Sequence, residues 1–268
     1  MRELNHLSEI SNNYDTFIID LWGVVHNGIK LNSKAMEVIK NLKINSKKVV
    51  FLSNAPRPSL KVINFLLKMG MEKKYLSSVI TSGEAAMYAI NQNKFGKTFF
   101  HLGPPRDTSV FDKVKKNKTN IDQCDFILCT GLFDDHNDNL NYYREFLKKH
   151  TSKKLICTNP DLTVHRGNVQ ELCAGSIAKI FEELGGKVSY FGKPHPEVYN
   201  LCFSKNEKVL AIGDNLRTDI KGANNLNLDC VFITHGVHID EINKSSDLNN
   251  LSETYNVKID FFQKELTW

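Results

Sequence analysis

Two aspartates each stand just past a short apolar run, and they are the side chains of this 268-residue sequence best placed to do chemistry. Asp20 follows Phe17-Ile-Ile and leads into Leu-Trp22-Gly23-Val-Val; Asp214 follows Val209-Leu-Ala-Ile-Gly213 and leads into Asn215-Leu-Arg-Thr218-Asp219. Short apolar runs bounded by turn residues read as buried strands, and open α/β sheets bind ligands at the carboxyl ends of their strands. Two carboxylates delivered side by side suit a hard cation such as Mg²⁺. Between them in the chain lie Ser53-Asn54, after the strand-like Val49 to Leu52, and Lys193 within Gly-Lys-Pro-His-Pro. Each has a local reading: Asp20 a potential nucleophile, Ser53 a hydroxyl donor to a phosphoryl oxygen, Lys193 a neutraliser of phosphate and carboxylate charge, Asp214 the anchor of a divalent ion. Asp219, at the start of a helical pattern, could hold a metal-bound water or brace the site from behind.

The elements that must position these groups alternate. From Thr16 onward strand-like runs and helical patterns take turns, which predicts an α/β fold with a doubly wound parallel sheet. Ser33 and Ser59 read as helix caps, and Thr81-Ser-Gly-Glu84 as a capping box. From about Phe99 a second alternation begins, with strands at Thr98–His101, Phe126–Cys129 and Leu155–Cys157 and helices at Leu140–Leu147 and Glu171–Leu184. Val188–Phe191 then reads as a strand leading back to the first style. An insertion at 91–187 into a sheet domain formed by 1–90 and 188–268 accounts for this order better than two domains in series. Val257–Phe262 reads as a final edge element.

Composition narrows the function classes. With 41% hydrophobic and 24% charged residues the chain is ordinary globular protein, and its net charge of +5 comes from scattered lysines. The densest basic run, Lys113–Lys118, lacks interleaved aromatics and reads as a solvated turn, so no nucleic-acid partner is expected. The six cysteines contain no Cys-x-x-Cys pair, and several fall in apolar segments as reduced, packed thiols. The first ten residues lack a signal-peptide apolar stretch and nowhere is there a membrane-length apolar run, so a cytoplasmic protein without a membrane partner is expected. No Gly-x-Gly-x-x-Gly follows an early strand, which speaks against a nucleotide-dependent oxidoreductase. Within the insertion, Asp134–Asp138 reads as a supply of helix caps. Asn159, Asp161, His165 and Arg166 occupy a loop that could face a substrate, while His235 and His238 read as loop histidines.

The ordered set Asp20, Ser53, Lys193 and Asp214 with Asp219 resembles the four motifs of the haloacid dehalogenase superfamily of aspartate-nucleophile hydrolases. More closely it is similar to the branch with an inserted α/β cap that includes nucleotide, nitrophenyl and phosphoglycolate phosphatases. Thr158-Asn-Pro-Asp161, Cys173-Ala-Gly175 and Tyr190-Phe-Gly-Lys-Pro-His-Pro196 carry that closer likeness. The resemblance implies a small phosphorylated metabolite as substrate and an aspartyl-phosphate formed on Asp20. It implies Mg²⁺ held by Asp20, the Trp22 backbone carbonyl and Asp214, with Ser53, Asn54 and Lys193 binding phosphate. One residue departs from the family pattern: Trp22 stands where such phosphatases carry a second aspartate that protonates the leaving group. A positioned general acid contributes roughly 10²- to 10⁴-fold. Three alternatives follow: His26 or a cap residue stands in, the leaving group needs no proton, or a catalytically impaired site binds a phosphorylated ligand or a protein partner.

Overall fold

A computed structural model describes residues 1–167, 169–242 and 247–268. The chain enters through β1 (Arg2–Glu3) and β2 (Thr16–Ile19), then alternates α1 (Ser33–Ile44), β3 (Lys48–Ser53), α2 (Ser59–Lys68), β4 (Val79–Thr81) and α3 (Ser82–Asn91). An inserted block follows: β5 (Phe99–Leu102), β6 (Phe126–Cys129), α4 (Leu140–Leu147), β7 (Lys154–Cys157), β8 (Thr163–Arg166), β9 (Val169–Leu172), α5 (Ala174–Glu183) and β10 (Lys187–Tyr190). The chain returns through α6 (Pro196–Tyr199), β11 (Val209–Gly213), α7 (Lys221–Asn225), β12 (Asp229–Ile233), α8 (Asp247–Thr254) and β13 (Phe261–Gln263).

Seven parallel strands in the order β1-β13-β12-β11-β2-β3-β4 form the larger sheet. Its central strands are apolar on both faces because helices cover both. Phe17 and Ile19 of β2 pack with Val38 and Leu42 of α1, while Ile18 faces the other way onto Val198 and Tyr199 of α6. Strands β3 and β4 lie to one side of β2 and β11, β12 and β13 to the other. The order therefore reverses between β2 and β11, and such a switch point opens a crevice at the strands' carboxyl ends. Asp20 and Asp214 follow those two strands.

The inserted block has its own four-stranded parallel sheet, β10-β7-β6-β5. One face packs Ile127, Leu155 and Cys157 against Tyr143 and Leu147 of α4 and Ile177 and Phe181 of α5. The other face sets Phe126, Leu128 and Ile156 against Ala86 and Ile90 of α3. All six cysteines are free and buried, and among the described residues no helix is long and apolar enough to cross a membrane.

Several elements differ from expectation. The strand expected at Val188–Phe191 as part of the first domain forms as β10 and pairs with β7 in the inserted sheet, so a boundary at 188 cuts through that sheet's edge strand. Its apolar character marked a strand without saying which sheet it joins. Glu171 and Leu172 are the end of β9 and not a helix start; β8 and β9 make a two-stranded antiparallel hairpin, and α5 begins at Ala174. Asn32, not Ser33, caps α1, its side chain accepting from Lys34 and Ala35 N–H. Ser59 is the first residue of α2 after Pro58, and its N–H is taken by Glu84 Oε2 at 3.1 Å. Thr81 Oγ1 does accept the Glu84 N–H, at 3.2 Å, so half of the capping box forms. Asn139, just past the acidic run, caps α4. The C-terminal element β13 is interior, flanked by β12 and β1.

Candidate active site

β2 and β11 run side by side, with Ile19 opposite Ile212 and the Asp20 N–H bonded to the Ile212 carbonyl at 2.9 Å. That register brings the carboxylates of Asp20 and Asp214 to one end of the sheet. The chain leaves β11 through a wide turn at Leu216–Ile220, which returns Asp219 over the same end. Ligand oxygens of Asp20, Asp214 and Asp219 all lie within 4.8 Å of one another, and all three residues are buried. Gly23 and Gly213 make room for this crowding. A Cβ on Gly23, whose φ is +84°, would stand 2.0 Å from Asp214 Oδ2, and one on Gly213 would stand 2.1 Å from Asp219 Cγ.

Lys193 completes the cluster from the loop after β10. Its Nζ donates to Asp20 Oδ1 at 2.5 Å and to Asp219 Oδ1 at 2.6 Å, and the side chain is buried with them. Burial alone would lower the ammonium's pKa; the carboxylates of Asp20 and Asp219 outweigh it and hold the pKa well above the usual lysine value. Burial raises the pKa of Asp20, opposed by Lys193 and reinforced by Asp219. Asp214 is pushed well above the carboxylate range by burial and then by its acidic neighbours, although the Val237 N–H donates to its Oδ2 at 2.8 Å. Three carboxylates sharing one ammonium carry two negative charges in excess when ionised. The all-oxygen donor set and that excess fit a hard divalent cation.

Ser53 ends β3, next to β2, and lines the same crevice. Its Oγ accepts the Ala55 N–H at 3.2 Å, which leaves the hydroxyl proton free to donate. Asn54 lines the same crevice. Its Oδ1 accepts the Lys193 N–H at 2.7 Å, and its Nδ2 donates to the Lys193 carbonyl and to Asp161 Oδ1, both at 3.1 Å. The Asn54 side chain thus fixes the backbone of Lys193 and ties it to Asp161.

The inserted block closes over a crevice of about 1170 Å³, lined by all four loop residues expected to face a substrate. Asp161 reaches furthest into the cluster; burial raises its pKa to about 6, with Lys193 opposing. Asn159 Oδ1 accepts the Asp161 N–H at 3.0 Å and shapes the loop. His165 and Arg166 belong to the β8–β9 hairpin and meet Trp22, whose Nε1–H donates to the His165 carbonyl at 2.7 Å. His26 packs edge-on against Trp22, with its Nδ1 accepting the Gly28 N–H at 3.0 Å, and burial lowers its pKa to about 4. His238 braces the turn after Asp214, its Nε2 accepting the Leu216 N–H at 3.1 Å. Asn215 and the Val237 N–H were not foreseen as site groups. Asn215 donates its N–H to Asp219 Oδ2 at 3.1 Å, and its position one residue past Asp214 was the signal available.

Sequence profiles of known families match both parts of the larger sheet domain. One described as haloacid dehalogenase-like hydrolase covers residues 17–116, and a second, HAD-hydrolase-like, covers 190–255. Among solved structures, a haloacid dehalogenase-like hydrolase from Brucella suis 1330 superposes with a TM-score of 0.86 at 27% identity, covering 100% of both chains. A 4-nitrophenylphosphatase from Thermotoga maritima gives a TM-score of 0.69 at 26% identity over 96% of each chain. Ribonucleotide monophosphatase NagD of Escherichia coli (strain K12) is 33% identical over 88 residues, which are 31% of this chain. That match spans 34% of the curated relative's own length. With Asp20, Lys193, Asp214 and Asp219 brought together at the switch point of a doubly wound sheet, and with both profiles covering the segments that carry them, the chain belongs to the haloacid dehalogenase-like hydrolase superfamily, as a NagD-like member.

Proposed function

We propose that the protein is a Mg²⁺-dependent phosphatase of a small phosphorylated metabolite, working through an aspartyl-phosphate on Asp20. The observation that carries this reading is the Lys193 ammonium held between Asp20 and Asp219 beside the third buried carboxylate, Asp214. Asp20, Asp214 and the Trp22 carbonyl would hold the metal, which when bound supplies charge neutralisation to the transferred group and keeps Asp20 ionised.

The chain's own groups then have definable tasks. An Asp20 carboxylate oxygen attacks phosphorus as the bond to the leaving-group oxygen breaks. Lys193 and the free Ser53 hydroxyl proton face the charge on the phosphoryl oxygens, and electrostatic placement of this kind carries most of phosphoryl transfer. Water then attacks the phosphorus of the aspartyl-phosphate, freeing phosphate and restoring the carboxylate. Asn54 keeps the Lys193 backbone in place through its pair of hydrogen bonds.

Proton supply to the leaving group sets the substrate range. The Trp22 N–H is committed to a carbonyl, and His26 is neutral at pH 7 with Nδ1 already bonded, so neither delivers a proton. Where the cap carboxyl Asp161, whose pKa is raised to about 6, does not supply the proton instead, phosphates whose leaving group departs as a stable anion, such as aryl and acyl phosphates, are favoured over alkyl esters, by up to the roughly 10²- to 10⁴-fold that a general acid contributes. The test is Mg²⁺-dependent release of nitrophenol from nitrophenyl phosphate, with Asp20→Asn as control. The second reading, a site kept for binding a phosphorylated ligand or partner, is favoured by the engaged Trp22 indole. Saturable binding of phosphorylated compounds with no turnover of any, the nitrophenyl ester included, would select it.

A further inference from the structure

Trp22 has a task of its own. The hairpin of β8 and β9 is two strands wide, and an isolated two-stranded ribbon is marginal in water. Val169 at its tip is 63% exposed. What holds it over the crevice is the loop that follows Asp20. The Trp22 indole N–H donates to the His165 carbonyl at 2.7 Å. The Gly167 N–H donates to the Asn27 carbonyl at 3.0 Å. The Arg166 guanidinium lies over the indole, 5.3 Å from the ring centroid, and its Nε is bonded to Glu171 Oε1 on the opposite strand at 2.8 Å. From below, the indole rests edge-on against His26, centroids 5.0 Å apart, and His26 rests in turn on Phe65 of α2 at 5.6 Å. Gly28 passes so close that a Cβ there would stand 2.7 Å from Trp22 Cζ2.

We infer that Trp22 is a positioning residue: it clasps the inserted hairpin to the loop that carries Asp20, and so fixes the part of the crevice wall that the hairpin forms. The clasp joins residues 143 positions apart in the chain and lies beside the nucleophile, so hairpin placement and nucleophile placement are set by one side chain. This role rests on contacts alone and holds whether the crevice hydrolyses a phosphate ester or only binds one.

The test is amide hydrogen exchange, followed by mass spectrometry, on the full chain and its Trp22→Phe and Trp22→Ala variants. Trp22→Phe keeps one ring for Arg166 and His26 but loses the N–H bond and part of the indole's packing; exchange in β8 and β9 should quicken at least about three- to tenfold. Trp22→Ala loses the cation–π contact and the packing as well and should quicken the hairpin further. In both, exchange in β2, β3 and β11 should match the wild type, which separates a lost clasp from general destabilisation. A second readout uses Trp268→Phe, in which Trp22 is the one remaining tryptophan of the two. Adding Arg166→Ala should move its emission to longer wavelength as the ring face is uncovered. Hairpin exchange unchanged in both Trp22 variants, or an emission indifferent to Arg166→Ala, would overturn the clasp. Neither readout needs turnover, so failure of the phosphatase reading and failure of this one are told apart.

Discussion

Asp214→Asn should make the protein more stable without metal and less responsive to it. In the native cluster the ligand oxygens of Asp20, Asp214 and Asp219 lie within 4.8 Å of one another, with Lys193 bonded to the other two and not to Asp214. At an effective dielectric of about 20, two unit charges at that separation repel by about 3.5 kcal/mol. Protonation offers an escape, but holding a carboxyl neutral at pH 7 against a reference pKa near 3.9 costs about 4 kcal/mol, so the two routes set a similar ceiling. Asparagine removes the charge, keeps the volume and still accepts from the Val237 N–H, at the expense of about 1 kcal/mol for a weaker hydrogen bond. A net gain of about 2 kcal/mol follows, or a rise of about 4 to 8 °C in a chain of this length. Excess Mg²⁺ should reverse the ranking, since a ligand at one hundred times its Kd stabilises the native state by about 2.7 kcal/mol and the variant has lost a charged ligand. Thermal unfolding followed by fluorescence, in chelator and in Mg²⁺, reads both effects. A variant less stable than the wild type in chelator, or one shifted equally by Mg²⁺, would refute the reasoning.

Lys193→Met should remove turnover and, in chelator, destabilise by about 3–5 kcal/mol, because it strands two buried carboxylates; urea unfolding measures this, and a loss under 1 kcal/mol would mean the ion pairs are weak. His101, buried with its Nε2 2.8 Å from Thr130 Oγ1, has its pKa lowered to about 4 by burial. The unfolded chain therefore binds the proton first as pH falls. Its stability contribution is full above about pH 6.5 and is lost progressively toward pH 4, by up to about 3 kcal/mol; His101→Gln should remove that share of the slope from the urea-unfolding pH profile and leave the share of His26, whose pKa is also lowered to about 4.

Much of the site was legible because it hangs on local patterns. An apolar run followed by aspartate is the same signal at β2 and at β11, and the sheet order then does the convergence. The inserted sheet was readable for the same reason at Phe126–Cys129, where β6 forms at the expected residues. What was not legible depends on contacts between distant segments. Val188–Tyr190 looks like a strand in any sheet, and only pairing with Lys154–Cys157 assigns it. The β8–β9 hairpin carries half-exposed polar residues, so its alternation is faint, and its place is decided by Trp22 across the fold. Asn54 reads as a loop residue beside Ser53 until Lys193, 139 positions later, returns to its amide. Trp22 itself read as a missing acid; the carbonyl its indole reaches lies in another sheet.

The central claim is that Asp20 carries the phosphoryl group. Mixing the protein with Mg²⁺ and radiolabelled nitrophenyl phosphate, quenching in acid within the first turnover and mapping the labelled peptide tests it most directly. The account predicts base-labile label on the peptide containing Asp20, and none in Asp20→Asn. Nitrophenol released by the wild type with no label on that peptide, or released by Asp20→Asn at the wild-type rate, would contradict it.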